Sequence, residues 1–363
     1  MLDILIVGGG ISGMLTAREL ALAGMKVTIL EQGEVGQESS WAGGGIISPL
    51  YPWQYPDAVT DLATWGQHFY PELIAEMNSV TGLDAELIQN GLLMLADEHE
   101  AASAWAKKTQ VNLQLVDNQE IYELEPNLSA GFKSHEKAIW MPEVRQVRNP
   151  RLVKVCKEYL LKQGVKFLEQ TKVVGLNYLN NKISAVKTES GEIAAEKVLL
   201  AGGAWSAKLL KDININLDVT PVKGQMILFK SVPGMVKRII LSQDRYVIPR
   251  RDGRVLVGST LEHTDFDKST SVEAREELMQ EAFRIIPALS ESPVEHHWAG
   301  LRPGSLNGIP YICHVAEIEG LYVNAGHYRN GVVLGPGSAR LAADLILNRS
   351  PILNPATYSL QHG

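Results

Sequence analysis

The first thirty-one residues constrain this chain most. Asp3 to Val7 is a short apolar, β-branched run ending in glycines, the pattern of a strand buried on both faces of a parallel sheet. Residues 12–24 carry Met14, Leu15, Ala17, Leu20, Ala21 and Ala23 at helical spacing, with Gly24 as the cap. Residues 26–31 read as a second strand, which completes a βαβ unit. Gly8, Gly10 and Gly13 spell G-x-G-x-x-G between the first strand and the helix. The first glycine permits the tight turn, the second lets the backbone approach a pyrophosphate, and the third lets helix and strand pack closely. The helix start, at Ile11 and Ser12, offers free N–H groups and a dipole that favour an anion. Glu31 lies eighteen residues past Gly13, where a carboxylate can accept hydrogen bonds from an adenosine ribose. A glycine turn without a ligand explains neither Gly10 nor Glu31, so the unit is expected to bind a dinucleotide.

The rest of the chain alternates in type. A long irregular segment, 33–56, precedes a helix over 57–80. Short strands and a polar helix occupy 84–147, and an amphipathic helix covers 151–163. Hairpin signals follow at Asn180-Asn181 and Ser190-Gly191, then a buried strand at 196–201. Period-2 runs at Gln225–Lys230, Arg245–Pro249 and Val255–Gly258 give way to a charged helix over 272–286. A strand at 320–325 and a closing helix near 337–347 end the chain. Strands that suit one parallel sheet therefore occur at the start, middle and end. This predicts an α/β nucleotide domain (1–82, 148–218 and 298–363), interrupted twice by an antiparallel one (83–147 and 219–297).

Composition excludes several classes. The 363 residues are 45% hydrophobic and 21% charged, ordinary for a globular chain of two or three units. With 34 Lys plus Arg against 41 acids the net charge is −7, which gives no drive toward nucleic acid or anionic lipid. No run approaches a membrane span, and the opening residues lack a charged n-region, so a cytoplasmic protein is expected. The two cysteines, Cys156 and Cys313, have no CxxC partner; neither a disulfide framework nor a metal site is expected.

FAD and NAD share the opening fingerprint. Two features favour FAD. The segment Ser39-Ser40-Trp41-Ala42-Gly43-Gly44-Gly45-Ile46-Ile47 follows the second strand closely enough to track a diphosphate and ribityl chain. Gly326-His327-Tyr328-Arg329-Asn330-Gly331 leads into a glycine-rich helix start, and a helix N-terminus stabilises an anionic reduced flavin. No second G-x-G-x-x-G appears, so a separate NADPH site is not expected.

These motifs, with Trp298-Ala299-Gly300-Leu301-Arg302-Pro303, resemble the D-amino acid oxidase superfamily nearly end to end, and within it the ThiO-type glycine oxidases of thiamine biosynthesis. The resemblance implies a discontinuous, glutathione-reductase-like Rossmann domain for FAD beside an antiparallel-sheet substrate domain, α+β overall. It implies oxidation of glycine to an imine, with oxygen reduced to hydrogen peroxide. The imine is hydrolysed to glyoxylate and ammonia or handed to a thiazole synthase. Sarcosine and small D-amino acids are alternative substrates. A dehydrogenase passing electrons to another acceptor and a non-enzymatic flavin module are alternative readings. No cysteine falls at a matching motif, so noncovalent FAD is expected, in a homo-oligomer.

A substrate amino acid is best held by a guanidinium, whose planar fork matches a carboxylate. Arg302 lies in Gly-Leu-Arg-Pro-Gly, read here as a rigid turn, and matches the family's carboxylate-binding arginine. Tyr246, in Arg245-Tyr246-Val247-Ile248-Pro249-Arg250, looks like the family tyrosine that adds a hydrogen bond; it also suits a half-buried sheet face. Arg329 resembles a second site arginine or braces the C-terminal loop. His327 reads as positioning that loop rather than as a base. Ile46 and Ile47 are expected to wall the substrate pocket, where volume alone would exclude larger amino acids. Lys223 is either near the flavin or a solvated strand residue. Val173 or Val174 would meet the adenine, and Gly331, Val332 and Leu334 the flavin's pyrimidine edge through N–H groups. Gly202 and Gly300 complete the expected cofactor contacts.

Overall fold

In the computed structural model, which describes residues 3–134 and 136–362, two sheets dominate. The first has six strands in the spatial order Tyr311–His314, Leu321–Ala325, Val198–Leu200, Ile4–Val7, Val27–Leu30 and Lys166–Leu168. All neighbours are parallel except the pair Tyr311–His314 and Leu321–Ala325. Ile4–Val7 is buried throughout because both faces of the sheet are covered. Ile4 and Ile6 pack on the helices Ile11–Leu22 and Gly331–Ile346. Leu5 and Val7 pack on the far side, against the three-stranded sheet Val173–Leu179, Lys182–Thr188 and Gly191–Ala194. Asn180 and Asn181, at φ 50° and 58°, make the tight turn of its first hairpin.

The second sheet has eight strands: Val294–Ser305, Val219–Phe229, Val255–Gly258, Arg245–Pro249, Ile239–Ser242, Leu92–Leu95, Lys137–Met141 and Gln114–Asp117. Neighbours are antiparallel except Ile239–Ser242 with Leu92–Leu95. The helix Val272–Ile285 covers one face through Leu278, Ala282 and Ile285. The fold is thus the mixed α/β class expected.

Four local expectations change. The predicted boundary at 297/298 falls inside the strand Val294–Ser305, which runs unbroken beside Val219–Phe229. The Gly-Leu-Arg-Pro-Gly segment is therefore strand interior, not a turn. Its proline is tolerated because this strand lies at the sheet edge, where a missing N–H breaks no ladder bond. Ser39–Ala42 forms one helical turn rather than irregular chain. The closing helix begins at Gly331, six residues before the expected start. Pro336 lies within it; lacking an N–H, it leaves the Val332 carbonyl free, and the Tyr70 hydroxyl donates to that oxygen at 2.8 Å. No helix among the described residues is long and apolar enough to cross a membrane.

Candidate functional site

A cavity of about 790 Å³ lies between the two sheets. On one side it is lined by the carboxyl ends of parallel strands, at Val7, Leu30, Ala201 and Ala325. That is where ligands bind in open α/β sheets. The large sheet contributes Gly224, Met226, Tyr246, Ser259, Gly300 and Arg302 from the opposite side. Every residue expected to meet the cofactor or substrate lines this cavity except Gly13, Ile47, Leu334 and Lys223.

Those four have other surroundings. A Cβ at Gly13 would stand 2.1 Å from the Gly8 carbonyl oxygen, so this glycine serves helix–strand contact. Ile47 is 2% exposed and belongs to the core beneath the helices. The two expected wall residues alternate sides because they form a strand, Ile46–Ile47, and only Ile46 faces the cavity. Leu334 cannot offer its N–H as expected, since that group donates to the Asn330 carbonyl at 2.9 Å within the helix. Lys223 is neither solvated nor in the cavity wall; it is buried, with Glu262 and Asp267 each 3.4 Å away.

At one end Glu31 is 8% exposed, and its carboxylate accepts from Gly9 N–H at 2.8 Å and Gly33 N–H at 3.1 Å. Burial pushes its pKa up, against the lowering effect of those N–H donors. Each oxygen keeps a further lone pair for a ligand hydroxyl. Next to it, the Ile11 N–H donates to Ser40 Oγ at 2.9 Å, which ties the Ser39–Ala42 turn to the first helix. Val173 and Val174 line the same cavity.

The chain fits a flavin dinucleotide in its unpaired polar atoms as well. Asn330 and Asn324 both line the cavity and are buried, yet Asn330 Nδ2 and Asn324 Oδ1 have no hydrogen-bond partner among the described residues. Gly331 and Val332 line it at a helix start, where N–H groups have no intrahelical acceptor. Donors and an acceptor left unpaired in a buried wall are costly unless a polar ligand meets them. Neither Cys156 nor Cys313 is in the wall. The His327 ring lies 3.4 Å from Ser12 Oγ through Nδ1 and 3.0 Å from Ser338 Oγ through Nε2. Burial pushes its pKa down to about 4, so it is neutral at physiological pH.

The other end is cationic. Arg302 Nη1 donates to the Lys223 carbonyl at 3.1 Å; Nη2 donates to Ser259 Oγ at 2.6 Å and to the Thr260 carbonyl at 3.2 Å. All three acceptors are neutral. Burial lowers the pKa of this guanidinium, Tyr246 opposes the shift, and Arg329 adds to it. A guanidinium has five N–H donors, so two remain beyond these three bonds. Tyr246 stands beside it, its hydroxyl 3.6 Å from Met226 Sδ. Sequence reasoning missed Ser259, Met226 and Gly224; nothing in their local pattern distinguishes them from other strand residues.

A family model described as FAD dependent oxidoreductase (DAO) matches residues 3–345. The chain is 49% identical over 358 residues to a protein of Pseudomonas aeruginosa named glycine oxidase, covering 98% of both. It is 30% identical over 361 residues to a Synechocystis protein named Bifunctional protein ThiO/ThiG, covering 97% of this chain and 53% of that one. The crystal structure of glycine oxidase from Geobacillus kaustophilus superimposes with a TM-score of 0.93 at 29% identity, over 99% of this chain and 98% of that one. By fold, cavity and these likenesses, the chain belongs to the DAO family of FAD-dependent oxidoreductases.

Proposed function

We propose that this protein oxidises glycine, and more slowly sarcosine and small D-amino acids, to the imine. The observation that carries this is Arg302: a partly buried guanidinium whose hydrogen-bond acceptors are all neutral, in a cavity wall beside Tyr246. A partly buried charge without a counter-ion is stabilised by a bound anion, and a carboxylate matches its fork. Arg302 binds the substrate carboxylate; Tyr246 donates a hydrogen bond to it; Arg329 adds a second positive charge. FAD, when bound, would supply the hydride acceptor: the Cα hydride and the amine N–H proton lost in forming the imine carry two electrons and two protons in all, which reduce oxygen to hydrogen peroxide. Hydride transfer from the neutral-amine form of the substrate needs no strong protein base. Neutral His327 keeps Ser12 and Ser338 in place and adds no charge. Ile46 limits the volume above the glycine Cα.

In this reading the noncovalent cofactor rests mainly against the parallel sheet and the substrate against the large one. Hydrolysis of the imine gives glyoxylate and ammonia. The likeness to a protein named Bifunctional protein ThiO/ThiG supports delivery of the imine to a thiazole synthase. The test is an anaerobic titration of the yellow protein with glycine, sarcosine, D-alanine and D-proline, followed by a peroxide assay in air. Glycine should bleach the flavin fastest and peroxide should form. Faster bleaching by D-proline, or reoxidation without peroxide, would refute the assignment.

A further inference from the structure

Arg250 directly follows the strand Arg245–Pro249 that carries Tyr246. Its side chain is buried and does not line the cavity. No carboxylate pairs with it among the described residues. Nη1 donates to Gln146 Oε1 at 2.6 Å and to the Val147 carbonyl at 3.1 Å, and Nη2 donates to the Gly44 carbonyl at 2.8 Å. Glu86 and Asp252 act on it only through space, and both form ion pairs with Arg148 instead. A buried charge without a direct counter-ion is costly and needs a compensating purpose.

Gly44 lies on the other side of this contact. A Cβ there would stand 2.9 Å from Ile248 Cδ1 and 3.3 Å from Tyr246 Cε2, so the glycine rests on the strand that carries Arg250's neighbours. The next carbonyl, that of Gly45, accepts the Val147 N–H at 2.9 Å. Both carbonyls of this run are therefore tied down from behind, while the run itself lines the cavity.

We propose that Arg250 is a positioning residue for amine oxidation: by holding the Gly44 carbonyl, it fixes the glycine wall of the cofactor cavity against Tyr246. One strand and the residue after it then set both the Tyr246 hydroxyl that meets the substrate and the backbone the cofactor packs on. The fork geometry is required, since a lysine head cannot span Gln146, Val147 and Gly44 together. This rests on the reading of the cavity as a site for FAD and an amine.

The experiment measures FAD dissociation constants by rebinding to apoprotein for the wild type, R250K, G44A and the double variant, together with glycine kinetics. R250K should weaken FAD binding by about tenfold, the value of one charge-assisted bond, and lower kcat with little change in KM. The double variant should fall short of the product of the single effects, because both perturb one contact. Multiplicative effects, or wild-type FAD affinity and kcat with only a lower unfolding temperature, would overturn the proposal. Should R250K fail to fold, Q146L removes one acceptor, together with the amide's bonds to Asn90 and the Pro249 carbonyl, and keeps the charge. Weaker FAD binding in Q146L supports the proposal and unchanged binding overturns it. Failure of the wild-type flavin to bleach with glycine would refute the amine reading alone, since the dissociation constants judge Arg250 separately.

Discussion

The Arg302 guanidinium lies directly over the Cα of Gly224 on the neighbouring strand. A Cβ at Gly224 would fall 2.1 Å from Nη2 and 2.3 Å from Nη1. In the strand register Arg302 stands opposite Val222 and Gly224 opposite Gly300, so the side chain crosses the ladder diagonally to reach Ser259. Only a residue without a side chain leaves that path open.

Gly224→Ala should therefore displace the guanidinium while leaving most of the cofactor wall intact. We expect KM for glycine to rise by about tenfold, the value of one charge-assisted contact, with FAD retained through gel filtration. An unchanged KM would show that Arg302 can bind substrate from another rotamer.

Arg302→Lys keeps a positive charge but loses the planar fork. KM for glycine should rise at least about tenfold, and competitive inhibition by small carboxylates should weaken in parallel. Steady-state kinetics with one such carboxylate checks both at once.

His327 gives a pH signature in stability. Its pKa is pushed down by burial to about 4 in the folded protein, against an ordinary value near 6.5. Below pH ~6.5 the unfolded chain binds this proton and the folded chain does not, so stability falls as pH drops from ~6.5 toward 4. The loss at pH 4 should approach about 3 kcal/mol from this group. Glu31, whose pKa is raised by burial, works in the opposite direction. The decline in Tm between pH 6.5 and 4 should be shallower in His327→Asn than in the wild type.

Glu31→Gln tests the ribose end. The amide can accept one of the two backbone N–H bonds but cannot replace both carboxylate oxygens. FAD should bind roughly tenfold more weakly, and fluorescence on rebinding to apoprotein measures this.

Ile46→Ala enlarges the space over the substrate. The ratio of kcat/KM for D-alanine to that for glycine should rise by roughly tenfold or more, the low end of what a single methylene is worth in an apolar pocket. A ratio that stays fixed would place size selection elsewhere.

Much of this was legible in the sequence because the dinucleotide turn is a local code. Gly8, Gly10, Gly13 and Glu31 lie within one βαβ unit, and backbone geometry alone dictates their spacing. The cationic end of the cavity is assembled from Tyr246, Ser259, Arg302 and Arg329, which only tertiary pairing brings together. Arg302 looked like part of a turn because glycine and proline surround it, yet pairing along Val219–Phe229 holds the segment extended. The start of the last helix was hidden by Pro336, whose cost is offset by a hydroxyl from a helix about 270 residues earlier. Gly224 and Arg250 carried no local signal, since their importance lies in what approaches them from other strands.

The unbroken strand Val294–Ser305 also bears on how such a protein can be altered. It starts beside Phe229, deep in the large sheet, and ends opposite Val219; at Arg302 it forms the cavity wall across from the parallel sheet. No cut on this stretch yields two self-sufficient modules. Exchanging the large sheet as a cassette would sever the ladder that orients Arg302. Altered specificity is therefore better sought through point changes around the cavity than through recombination of halves.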